Sequence, residues 1–209
     1  DKGHIKLLDA ILSHNPSQIN LHGSKGYLFQ LLIENGYTTI LNQYNKEIDL
    51  NISLGNGLTL ANLLVRKGYI SLLENLLERN PQQLNIKDGN GVTTAQMLLN
   101  AGYNNLLIKF SKFIDGSLEN KKQIPFVIST LEKGYTTLVD VLIQHNPQLI
   151  NIKTSEKILA VDLINKGMYT LLHSQKEALN FEQTLNNGTS VSVYLAKKNT
   201  QVGLDLLVH

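Results

Sequence analysis

The chain has 209 residues, 42% of them hydrophobic, with mean hydropathy −0.10 and a net charge of +2; this is enough apolar material for a core and too little charge to mark a nucleic-acid binder without a clustered patch. It contains no cysteine, so disulfides and thiolate chemistry are excluded. No apolar run approaches the roughly 20 residues that cross a bilayer and no signal-peptide pattern opens the chain, so no membrane insertion is expected.

Taken in chain order, the elements repeat. Residues 2–22 read KGHIKLLDAILSHNPSQINLH, residues 67–87 KGYISLLENLLERNPQQLNIK, and residues 133–153 KGYTTLVDVLIQHNPQLINIK. The glycine of this phrase recurs as Gly3, Gly36, Gly68, Gly102, Gly134 and Gly167, with Asn199 in the seventh place, at spacings of 32 to 34 residues. A period near 33 kept over the whole chain is the signature of stacked repeats.

Each unit reads as two helices. A short apolar stretch precedes the glycine, as in TLANLLVRK before Gly68, TTAQMLLNA before Gly102 and LAVDLINK before Gly167. The glycine is placed to close that helix in the left-handed conformation. Lys stands immediately before it at Lys2, Lys67, Lys133, Lys166 and Lys198, where a cation complements the helix dipole. A second helix follows, with apolar residues at helical spacing such as Leu72, Leu73, Leu76 and Leu77.

Three second helices are predicted to stop at Asn15-Pro16, Asn80-Pro81 and Asn146-Pro147, since proline cannot continue a helix and Asn tolerates the left-handed region. The helices after Gly36 and Gly102 instead run into NKEIDLN and FIDGSLEN, so a 66-residue double unit overlies the single period. A polar loop, such as NIKDGNG at 85–91, leads to the next short helix. A closing Asn recurs as Asn20, Asn51, Asn85, Asn120 and Asn151.

DGNGVTTAQMLLNAGY, with Asp88, Gly91, Thr93 and Gly102, and GNGLTLANLLVRKGY, with Gly57, Thr59 and Gly68, resemble the ankyrin repeat. NNGTSVSVYLAKKN matches more weakly through Gly188. The Thr-Pro dipeptide of that family is nowhere intact, Pro125 stands where Thr is expected, and the units before Gly36, Gly134 and Gly167 lack the Gly-x-Thr signature. The expected fold is therefore all-α: an ankyrin-like helical-pair repeat solenoid of about six units over residues 1–209, with another helical-pair solenoid as the alternative. The register begins at the end of a first helix and stops inside a second, so a part of a longer protein is expected.

Candidate chemistry is sparse. The six histidines, His4, His14, His22, His145, His173 and His209, form no ligand-spaced cluster. No nucleophile motif is present, and the glycines of LGNG and DGNG lack the setting of a phosphate loop. No catalytic residue, cofactor or metal is expected in this segment.

The resemblance implies that loop tips and first-helix ends line a concave face that binds a partner. Here those positions hold Asn56, Leu58, Asn90 and Val92 in loops, Arg66, Lys67, Asn100, Lys133 and Lys166 at helix ends, and Lys121, Lys122 and Lys157 in further loops. Together they predict a broken basic stripe for an acidic protein surface; helix-end electrostatics repeated by descent would select the same lysines. No aromatic ladder interleaves them, so nucleic acid is not expected. Tyr37, Tyr69, Tyr103 and Tyr135, each following its glycine, read as packing between units or as a binding strip.

The function expected is a monomeric protein-interaction scaffold, soluble and intracellular. Degenerate, Asn- and Lys-rich arrays of this style resemble those of bacteria that live inside cells, which implies an effector secreted into a host cytoplasm and acting on a host protein. The alternative is the targeting arm of a larger enzyme.

Overall fold

The computed structural model describes residues 2–55, 57–198 and 201–206; Asn56, Asn199 and His209 of the sequence reading lie outside them. The chain is mostly helical, and the named strands form a single two-residue hairpin, β1 (His22–Gly23) with β2 (Gly26–Tyr27). It divides into two compact units, one ending at Leu106 and the other starting at Leu107.

The first unit holds α1 (Lys2–His14), α2 (Leu28–Glu34), α3 (Thr38–Gln43), α4 (Leu60–Lys67), α5 (Ile70–Arg79) and α6 (Thr94–Ala101). α7 (Asn104–Lys109) carries the division. The second holds α8 (Phe126–Glu132), α9 (Thr136–His145), α10 (Leu159–Asn165), α11 (Tyr169–Ser174), α12 (Val191–Lys198) and α13 (Gln201–Asp205). Within the first, α4 lies between α2 and α6 and packs on its own partner α5; within the second, α8 packs on α9, and α10 on α11 and α12.

Helix ends follow the glycines. Gly36, Gly68, Gly102, Gly134 and Gly167 all carry positive φ, between 70° and 82°. Each donates its N–H to the carbonyl three residues back, and the next residue (Tyr37, Tyr69, Tyr103, Tyr135 or Met168) donates to the carbonyl five back, at 2.9–3.2 Å. These paired bonds are the Schellman closure, which satisfies carbonyls that a helix end would otherwise leave unpaired. Where φ and ψ are recorded for the residue after the glycine, they lie near −80° and +60°, as in Tyr37, Tyr69 and Tyr135. That inverse γ-turn sends the chain into the second helix. Gly3 falls inside α1, near its start.

The double period is visible as helix length. α5 and α9 have 10 residues each, whereas α3, α7 and α11 have 6. The long helices end at Asn-Pro, but Asn15, Asn80 and Asn146 are not left-handed. Their φ values are −142°, −146° and −138°, and the proline opens a 3-10 turn. The ring of the following proline disfavours helical geometry at the preceding residue and pushes it to extended backbone, which overrides the tolerance of Asn for φ > 0.

The polar loops are β-hairpin turns rather than irregular links. Leu54 N–H bonds to Leu58 O, Asp88 to Val92, Asn120 to Ile124, Thr154 to Lys157 and Leu185 to Thr189, at 2.8–3.1 Å, and so recur at the repeat period. Short helices start after them. Thr59 and Thr93, the two threonines of the intact Gly-x-Thr signature, cap α4 and α6 by accepting from Asn62 N and Gln96 N, each at 3.1 Å. Pro125 and Ile158, at the same place in α8 and α10, provide no side-chain cap.

The core is Leu, Ile and Val facing inward from both helices of each pair. Leu64, Leu73, Leu77, Leu98 and Leu99 are buried in the first unit, and Val127, Val139, Ile143, Leu159 and Leu163 in the second. A Cβ added at Gly68 would meet nothing within 4 Å, so only backbone strain opposes a side chain there. Gly68→Ala is therefore expected to lower unfolding free energy by about 1 kcal/mol, and Gly68→Val by more. Denaturant titration measures both; wild-type midpoints would contradict the left-handed closure.

Candidate functional site

The predicted binding positions lie on the hairpins and on the last turns of the short helices, and side-chain oxygens set their geometry. At the head of three successive hairpins Asp88, Asn120 and Thr154 each accept from two amides of their own turn. Asp88 Oδ1 takes Asn90 N (2.8 Å) and Val92 N (3.0 Å), Asn120 Oδ1 takes Lys122 N (2.8 Å) and Ile124 N (3.2 Å), and Thr154 Oγ1 takes Lys157 N (3.0 Å) and Glu156 N (3.3 Å). Such side-chain turns fix the tip without a strand ladder.

Asn120 is therefore the counterpart of Asp88, not of the closing asparagines with which its sequence groups it. Asn20 and Asn151 do a different job. Asn20 donates to Glu47 O (2.7 Å) and accepts from Asp49 N (2.8 Å); Asn151 donates to Ala178 O (2.7 Å) and accepts from Asn180 N (2.8 Å). Each ties one unit to the next through the same pair of backbone groups.

Two of the predicted binding cations are engaged inside the fold. Arg66, the second residue before Gly68, bonds to Asp88 Oδ2 at 2.9 Å, and the Asp88 side chain is 4% exposed. Burial alone would raise the Asp88 carboxyl, but the Val92 and Asn90 amides and the Arg66 guanidinium outweigh it and hold the carboxyl below its ordinary value. Glu132, the second residue before Gly134, pairs with Lys157 of the following hairpin. The first-helix end thus grips the next hairpin in both units, with the signs of the charges exchanged. Glu132 raises the Lys157 ammonium above its usual value. Burial pushes the nearby Asp162 carboxyl up, partly offset by the charges of Lys157 and Lys166.

The remaining positions divide by exposure. Lys67, Asn90, Asn100, Lys121, Lys122, Lys133 and Lys166 are exposed, and Leu58 and Val92 are half-buried against the hairpins. In the second unit the tips at 119–124 and 153–157 flank an open groove of about 520 Å³, floored by Ile124 and Ile128 and edged by Lys122, Glu156 and the Glu132–Lys157 pair. Gln123, at its rim, has φ 58°, the only positive φ at a non-glycine among the described residues. Lys153, also at the groove, donates to Thr184 O at 2.6 Å. The sequence reading missed Asp88 and Glu132 as partners; their signal is that −2 residue and next hairpin carry opposite charges in both cases.

The tyrosines after the glycines are half-buried at Tyr37, Tyr69 and Tyr135 and more open at Tyr103. The Tyr69 hydroxyl lies 3.4 Å from where a Cβ of Gly36 would stand, so it reaches the glycine turn of the preceding unit. Among the described residues no group of three or more His, Asp or Glu could hold a metal ion, and no helix is long and apolar enough to cross a membrane. Compared with family models, with curated proteins and with solved structures, the chain matches none of them.

Because the folded Asp88 carboxyl titrates below the unfolded value of 3.8, its contribution is present above pH 3.8 and disappears as pH falls through the folded value. Asp88→Asn is expected to lower Tm at pH 7, with the gap to wild type closing below about pH 3.8. Thermal melts from pH 7 to 2.5 read this directly, and a gap that stays constant with pH would show that ionised Asp88 does not hold the hairpin.

Proposed function

We propose that the chain is an ankyrin-like repeat array that binds a partner protein through its hairpin tips and first-helix ends, the partner presenting an acidic surface there. The observation that carries this reading is the exposed pair Lys121 and Lys122 on the 119–124 hairpin, with Lys133 exposed at the end of α8, beside an open groove whose other cations, Lys153 and Lys157, are already bonded. The internal pairs fix hairpin positions without consuming these lysines, so the tips form a rigid platform with unspent positive charge. Rigid platforms lose little entropy on docking, and rim cations steer association with an acidic partner. The repeat period, the hairpins that keep it and the weak net charge favour a scaffold over a nucleic-acid surface.

Charge reversal tests the reading. Lys121→Glu with Lys122→Glu is expected to weaken the partner complex by about tenfold or more, with Tm unchanged, and the wild-type complex is expected to weaken with added salt. Arg66→Glu is the contrasting variant. It breaks the bond to Asp88 and is expected to lower stability by about 1 kcal/mol, a figure kept small because Arg66 is half exposed. Affinity that ignores both the lysines and salt would remove this surface from consideration.

A further inference from the structure

We infer that the outer face of α1, carried by Leu7 and Ile11, is a docking surface for one further helix–turn unit of the chain's own repeat type; the inference rests on the repeat-array reading above. The three copies of the phrase align residue by residue from their Lys-Gly pairs. Leu7 corresponds to Leu72 and Leu138, and Ile11 to Leu76 and Leu142. In the second and third copies these positions are sealed: Leu72 is 6% exposed, Leu76 4%, and Leu138 and Leu142 1% each. In the first copy Leu7 is 61% and Ile11 42% exposed. Side chains of the same chemistry at the same register are core in two helices and bare in the third.

The two sealed copies show what seals them. Leu72 and Leu76 face Leu60 and Leu64 of α4 together with Ile48 and Leu50, which follow the 3-10 turn Asn45–Glu47. Arg79 locks that arrangement by donating to Asn45 O at 2.5 Å and Ile48 O at 2.9 Å. α9 is covered in kind, by α8 and by the 3-10 turn Ser111–Phe113. The cover is thus a short apolar helix plus the turn that ends the preceding helix pair. α1 packs by its adjoining face, where Leu12 is fully buried and the Tyr44 hydroxyl donates to Asp9 Oδ1 at 2.8 Å, and through Ile19 of the 3-10 turn that follows it, also fully buried. His14 stands at the position of Arg79, placing a donor beside the carbonyls that an incoming turn would present. An exposed apolar pair at helical spacing, matched twice to one kind of occupant, specifies that occupant.

The test grafts the cover. Residues 28–66 are fused in place of Asp1, so that the copied α4 runs into Lys2-Gly3 as it runs into Lys67-Gly68. Hydrogen exchange of the amides of residues 5–12 is expected to slow by about tenfold or more relative to the 209-residue chain. Leu7→Ala, expected to leave Tm unchanged in that chain, is expected to lower it by several degrees in the graft. A second graft, residues 104–132 ahead of Lys2, gives the same readouts should the first not fold. Unchanged α1 exchange and a silent Leu7→Ala in the grafts overturn the inference. So does concentration-dependent dimerisation of the ungrafted chain that Leu7→Asp abolishes, which would give the face to a second copy. Lysine variants that fail to alter partner binding bear on the hairpin surface alone, so the two readings fail separately.

Discussion

The structure depends on one turn, made five times: a glycine at positive φ whose own amide and the next bond back into the last turn of a short helix. Most residues with a Cβ enter this geometry only with strain. The turn releases the chain at a fixed angle, and the inverse γ-turn that follows starts the second helix. Each helix pair is then brought into contact within a few residues of sequence, with apolar residues of both helices buried. Neither helix of 6 to 10 residues would persist alone, so the turn has value only because it brings two apolar faces together.

Between successive pairs, polar ties at the edge add to the shared apolar core. Asn20 and Asn151 read the same two backbone groups of the next unit. The residue two before the glycine reaches the next hairpin, as Arg66 to Asp88 or as Glu132 to Lys157. The exchange of sign is informative. Where this contact is ionic, as in Arg66–Asp88 and Glu132–Lys157, either sign serves at the helix end, so a basic stripe is not a structural necessity. Lys121 and Lys122, on a hairpin tip, belong neither to these pairs nor to the helix ends where a cation complements the dipole.

Much of this was legible in the sequence. The glycine period, the helix ends at the glycines and the different endings of alternate second helices follow from local rules that a single chain displays, whereas Thr59 and Thr93 were read only as part of the Gly-x-Thr signature and not as caps. Other features were not read correctly, some because they depend on contacts about 20 to 30 residues away and some because a local rule was misapplied. Asn120 sits close to a closing-Asn position by counting, yet it heads a hairpin as Asp88 does. Arg66 looks like a free cation until Asp88 is placed beside it. The Asn-Pro stops were located correctly but given the wrong backbone, because the proline constrains its predecessor more strongly than Asn favours the left-handed region.

The repeated closure makes a direct demand on the amides of Tyr37, Tyr69, Tyr103, Tyr135 and Met168, each bonded to a carbonyl five residues earlier. Hydrogen exchange at these five amides, followed residue by residue by NMR, tests the account most directly. The account predicts protection at all five comparable to that of the helices they close. Exchange at the rate of an unstructured peptide at these positions, with the helices still protected, would contradict it.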